Sequence, residues 1–209
     1  MASAVQLDHS HDVTDVSSIV RGSLILGVIQ AVLVFATSLS NKGLEGTPDT
    51  VVTGILVALG IAATAFLPSI WIRPRTIEGI AGAAGIGLGA ALAFLVIDVI
   101  VLQPIGTYTN RWWEVGGGSN WWYHPVWWMV SSLLAWLGAF IVSNHASKRG
   151  DGSVVMPMVI VAAFTVACGA LAAMFHFPGA GWNVATFAVA VLPALALGTI
   201  VSGLGNSRG

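Results

Sequence analysis

Charge is scarce in this sequence. Asp, Glu, Lys and Arg make up 8% of its 209 residues, against roughly 25% in soluble domains. So few charges cannot clothe a water-facing surface. With 56% hydrophobic residues and a mean hydropathy of +0.86, the exterior is expected to face lipid. The net charge of −1 supplies no basic field for nucleic acid, which is excluded as a partner. Cys168 is the one cysteine, so no intramolecular disulfide and no thiolate ligand set can form. The sequence also has no glycine-rich phosphate loop, no paired acidic motif and no His-x3-His pair. Nucleotide, phosphate and zinc chemistry therefore have no signature here.

What is abundant is apolar sequence in long runs. A spanning helix needs about 20 mostly apolar residues. Six segments meet or approach this: 22–39, 51–72, 80–102, 126–142, 154–177 and 182–204. Each must be helical, because hydrocarbon offers no partner to a bare backbone amide. The expected fold is an all-α integral membrane bundle of about six helices. Residues 1–21 form a polar N-terminal tail, 22–204 a single transmembrane domain and 205–209 a C-terminal tail. The tail carries Asp8, Asp12 and Asp15 where a secretory signal would be basic, so the run from Gly22 reads as an uncleaved first span. Its string DHSHD offers His9 and His11 for loose metal contact, though a mobile tail is the simpler account. Turn chemistry separates the spans at Gly46-Thr47-Pro48-Asp49, Arg73-Pro74-Arg75, Gly150-Asp151-Gly152-Ser153 and Pro178-Gly179-Ala180-Gly181. Pro68, Pro157 and Pro193 are placed to kink the second, fifth and sixth spans.

Basic residues favour the cytoplasmic side of a membrane. With six spans, Arg21, Arg73, Arg75, Lys148, Arg149 and Arg208 share one side, and Lys42 and Arg111 the other. Both termini are therefore expected inside, in a bacterial cytoplasmic (inner) membrane. The long connection from Gln103 to Pro125 then lies outside. With the start of the fourth span it holds Trp112, Trp113, Trp121, Trp122, Trp127 and Trp128. Tryptophan suits the headgroup layer, where its ring is apolar and its N–H is wet. An interfacial belt is the simpler account of this Trp-rich loop. An aromatic-walled site at the outer mouth is the functional one.

In the third span Ala81, Gly85, Gly89 and Ala93 recur every four residues, a small-residue stripe that lets helix backbones approach closely. Ala84, Gly87 and Ala91 run down nearly the opposite face, on which Asp98 also projects. That helix is expected to be central. Ser23, Gly27, Gln30 and Thr37 mark a weakly polar stripe on the first span, and Thr165, Gly169, Ala172 and His176 one on the fifth. Interhelical hydrogen bonding explains such stripes without a substrate path. The two halves show no internal repeat.

Topology alone brings one polar set to the outer face. Asp98, His124 and His176 are the candidate ligand or metal residues, with Arg111, Glu114, Tyr108 and Tyr123 as outlying partners. Ionisable groups inside spans are expensive and tend to be functional. Two histidines and a carboxylate can ligate a metal or haem iron, or exchange protons with a quinol. Interfacial histidines, and an Asp98–Arg111 ion pair, are the structural alternatives. The cofactor is left open among haem, a metal ion and a quinone.

Three functions fit. The first is a non-catalytic integral subunit of a larger membrane assembly, of the electron-transfer or energy-converting kind. It leads because small-residue faces and a Trp belt suit packing against other helices. Its expected partners are the bilayer and other membrane subunits. The second is a membrane redox or metal enzyme with its site at the outer face. The third is a small transporter or channel, which the lack of paired broken helices disfavours.

Overall fold

The computed structural model describes residues 12–108, 123–150 and 152–204. Among them there is no strand, and six helices are long and apolar enough to cross a membrane. They are α1 (Val16–Gly43), α2 (Gly46–Ile72), α3 (Ile77–Ile97), α4 (His124–Arg149), α5 (Val155–Met174) and α6 (Val184–Gly203). α3 continues into one π-helical turn, Asp98–Leu102, closed by the Gln103 N–H on the Asp98 carbonyl at 2.9 Å. The chain is an integral, multi-pass membrane protein, as its apolar runs predict.

The helix ends differ from the ends of the apolar runs because capping, not hydropathy, sets them. Asp15 caps α1 by accepting from the Ser18 N–H at 3.0 Å, so the helix begins before Arg21. Hydrogen bonds from Ser17 and Ser18 hold the Asp15 carboxyl down at about 2. The stretch Gly46–Asp49 is the first turn of α2 rather than a loop, since Pro48 at the third helical position has no N–H to lose. Pro157 likewise occupies the first turn of α5, where it kinks nothing. Pro68 and Pro193 are inside their helices. α5 stops at Met174, three residues short of the run's end. The expected polar tail is also tied down at its last residues. Asp12 accepts from the Arg75 and Thr76 amides at 2.7 and 3.0 Å and from the Thr76 hydroxyl, and Val13 N–H donates to the Ile72 carbonyl.

α1, α3, α4 and α2 form a closed ring, each packed on the next. α6 joins this ring mainly through α4, and α5 packs chiefly on α6. α3 meets α1 on one face and α4 on the other. Toward α4, a Cβ on Gly87 would lie 2.6 Å from the Ser131 carbonyl oxygen. Toward α1, a Cβ on Gly89 would strike the Ser23 side chain, and Ala93 packs against Gly27. The lower part of that stripe does less: Gly85 reaches only Ile19, and Ala81 is exposed. The tightest approach lies elsewhere, between α4 and α2, where a Cβ on Gly138 would overlap the Ala65 carbonyl. Between the ring helices Leu26, Ile72, Ala83, Ile86 and Ala90 form a buried core. Ile100, Met129, Val159 and Val166 point outward, as a lipid-facing surface requires.

The start of α1, the end of α6, the connection at 73–76 and the described residues 150 and 152–154 share one end of the bundle, the proximal end. The connections at 44–45 and 175–183 and the described residues 103–108 and 123 share the distal end. Arg21, Arg73, Arg75, Lys148 and Arg149 are proximal, and Lys42 is distal.

Candidate functional site

Asp98 is fully buried at the distal end of α3. The π turn that begins there brings Gln103 back over it, and the Gln103 amide donates to Oδ2 at 2.6 Å. Tyr108 donates its hydroxyl to Oδ1, and Tyr123, at the N-cap of α4, donates to Oδ2. A carboxylate would cost roughly 3 kcal/mol even at mid-span, and less at this depth. Hydrogen bonds to a charged group each contribute about 1.5–3 kcal/mol, so three donors outweigh that cost. Burial, and then the hydrogen bond to Asp98, push both phenols well above their ordinary pKa.

His124 opens α4 beside this carboxylate, its Nε2 3.9 Å from Oδ2. That is beyond hydrogen-bond length. The ring stands edge-on to Tyr123 at 4.7 Å between centroids. Asp98 and His124 are thus neighbours, with Tyr108 and Tyr123 directly on the carboxylate rather than outlying.

His176 belongs to a different structure. It takes a left-handed φ of 50°, with its N–H on the Ala173 carbonyl and the Phe177 N–H on the Ala172 carbonyl. These two bonds make a Schellman cap with His176 where glycine is usual. Its side chain is exposed and its Nδ1 lies 3.2 Å from the Ala173 carbonyl oxygen. The expected set of Asp98, His124 and His176 therefore divides. Among the described residues no group of three or more His, Cys, Asp or Glu is placed to hold a metal ion. Arg111 and Glu114 lie outside the described residues, as do Trp112, Trp113, Trp121 and Trp122.

The segment after the π turn straps the distal end. Gly106, at φ 72°, turns the chain so that its carbonyl accepts from Lys42 Nζ at 2.5 Å, while the Thr107 carbonyl accepts from the Ser38 hydroxyl. Beneath this strap is a cavity of about 630 Å³. Its walls are aliphatic residues of α1, α2, α4 and α6, among them Leu33, Leu56, Ile61, Leu134 and Leu192. Tyr108, Tyr123 and Trp127 line one side, so the cavity abuts the Asp98 cluster. Asn41, Lys42 and Thr107 stand at its distal mouth.

Its floor is a polar knot at the centre of the ring. Gln30 of α1 donates to Thr64 of α2 at 3.1 Å and to Ser131 of α4 at 3.3 Å, and Ser131 donates to the Gly87 carbonyl of α3 at 2.9 Å. One residue from each ring helix thus meets at mid-span. Sequence reasoning placed Gln30 on a polar stripe but missed Thr64, Ser131 and Gln103. An amide in a span was the available signal, since it needs partners on other helices.

No protein-family model, curated protein or solved structure matches the chain, so its function is read from this site alone.

Proposed function

We propose that the chain is a non-catalytic integral membrane subunit that works by binding. It holds an apolar or amphipathic small molecule in the distal half of the bundle, within the membrane. The observation that carries this is the cavity of about 630 Å³, with aliphatic walls and a few polar groups at its two ends. That is the common form of a small-molecule site. The Asp98 cluster supports it as a brace. Its donors spend their protons on the carboxylate, which holds Tyr108 and Tyr123 as a fixed wall. A redox role survives in one form, with a quinone or quinol as the occupant. The bias of five proximal basic residues to one distal favours a cytoplasmic proximal end, as in a bacterial inner membrane.

Native mass spectrometry of the chain released from mild detergent tests this. Gly60 lines the cavity and has only Leu33 near it, at 3.7 Å from a built Cβ. Gly60→Phe should fill the space. Wild type should carry a lipid-like adduct that Gly60→Phe lacks. No adduct on wild type, or the same adduct on both, would remove the binding role.

A further inference from the structure

The polar knot specifies what the cavity's occupant must carry. Thr64 gives its hydroxyl proton to the Gly60 carbonyl at 2.8 Å, and Ser131 gives its own to the Gly87 carbonyl at 2.9 Å. A hydroxyl has one proton. With those protons placed so, both oxygens accept from Gln30: its NH2 turns to Thr64 and Ser131, and its Oε1 is left over. Gln30 is 3% exposed, and that oxygen is buried with no hydrogen-bond partner among the described residues. One turn distal of Ser131, Trp127 lines the same cavity. Its indole N–H is also buried without a partner among the described residues. The ring itself is held against Phe94, 5.1 Å between centroids.

Two residues that line the cavity thus carry one unpartnered acceptor and one unpartnered donor, a helical turn apart in depth. A buried carbonyl is satisfied only by a donor. Ethers, esters and oxidised quinones have none. An ammonium or a carboxylate would bring charge into an apolar space, at large cost without a counter-ion. A neutral hydroxyl meets both needs, since it has one proton to give and lone pairs to receive.

We propose that the cavity selects an apolar molecule with a neutral hydroxyl at its leading end. The ligand O–H donates to Gln30 Oε1, and the Trp127 indole N–H donates to an oxygen of the ligand. The hydrocarbon body lies along α1 and α2 toward the distal mouth. The hydroxyl can sit on an alkyl chain or on an aromatic ring, so fatty or prenyl alcohols and reduced quinols share the required chemistry. This rests on the binding role proposed above.

The test uses the full chain in nanodiscs and two probe pairs. One is dodecanol with its methyl ether. The other is decylhydroquinone with its dimethyl ether. Methylation removes the donor and keeps the oxygen. In at least one pair the hydroxyl form should bind about tenfold more tightly than its ether. The pair that shows this preference identifies the hydroxyl's carrier. In Gln30→Leu the preference should fall to within about threefold, while ether binding is retained. Trp127→Phe keeps the ring and should weaken alcohol and ether alike, because both retain the oxygen that accepts from the indole. If every hydroxyl and its ether bind wild type equally, hydroxyl selection is overturned and the cavity's binding role stands. If no probe binds or displaces the wild-type adduct, hydroxyl selection is overturned; if wild type also carries no adduct, the binding role falls with it. Selection that persists undiminished in Gln30→Leu would also overturn the assignment.

Discussion

Tyr123 donates its hydroxyl to the carboxylate of Asp98, 25 residues before it in the chain, and so ties the start of α4 to the end of α3. Tyr108 takes the other carboxylate oxygen. These are the chain's two tyrosines, and both end on one acidic group.

The tyrosine absorbance of the whole protein therefore reports this cluster. Exposed tyrosines ionise near pH 10. Both phenols here are raised above that, by burial first and by Asp98 second. A spectrophotometric titration of the folded protein should show no phenolate at pH 10, and unfolding should release both. The sign for stability follows. Above about pH 10 the unfolded chain sheds protons that the folded chain keeps, so stability falls as pH rises. A native protein that yields phenolate at pH 10 would show that the cluster does not form.

Removing one donor should be felt directly. Tyr123→Phe leaves the buried carboxylate one hydrogen bond short, a loss of about 1.5–3 kcal/mol. Thermal unfolding in detergent should register it. Ser17→Ala, at an exposed hydrogen bond of the Asp15 cap, serves as a control and should change the melting temperature far less.

His176 gives the opposite sign. A non-glycine residue at left-handed φ costs about 1–2 kcal/mol, which glycine does not incur. His176→Gly should raise the melting temperature or leave it unchanged. A fall accompanied by loss of a bound metal would restore His176 as a ligand.

Among the glycines, the outcome should depend on what faces the missing Cβ. Gly138→Ala pushes against the Ala65 carbonyl and should cost about 1–3 kcal/mol. Gly85→Ala meets Ile19 at 3.9 Å, an ordinary contact, and should be neutral. Equal effects at the two positions would contradict the α2–α4 approach.

Orientation can be read with two cysteines in a Cys168→Ala background. Gly179 and Gly150 are in turns at opposite ends, with open space around each. A membrane-impermeant thiol reagent applied to intact cells should label Gly179→Cys and spare Gly150→Cys. The reverse pattern would invert the topology.

Hydropathy made the six spans legible, because lipid permits little else. The residues of the site were legible only where depth was enough. Asp98 and His124 lie at matching depth on neighbouring spans, and no more than that was needed to set them side by side. Gln103 was missed because one extra residue in a helical turn leaves no mark in hydropathy. Thr64 and Ser131 were missed for a different reason. Several hydroxyls in these spans give their protons to the carbonyl four residues back, as those of Thr37, Thr165 and Thr199 do, and nothing in sequence marks the ones that also bond another helix. Which of them also accepts from another helix depends on helix rotation, and that is a property of the packed bundle. His176 carried a cap signal in Pro178, two residues beyond it, since proline often follows a helix end.

The π turn makes the third span one residue too long for its own spiral. Each residue advances an α-helix by about 100°, so that surplus residue works as a fixed rotation. That rotation carries through to the strap at 103–108, whose contacts with Lys42 and Ser38 depend on it. Cutting one residue from 99–102 would let the helix close up as an ordinary α-helix. Gln103 would then swing away from Asp98, and the Gly106 and Thr107 carbonyls away from Lys42 and Ser38. A change in length would thus open the distal mouth of the cavity, and no single side chain there could restore the register.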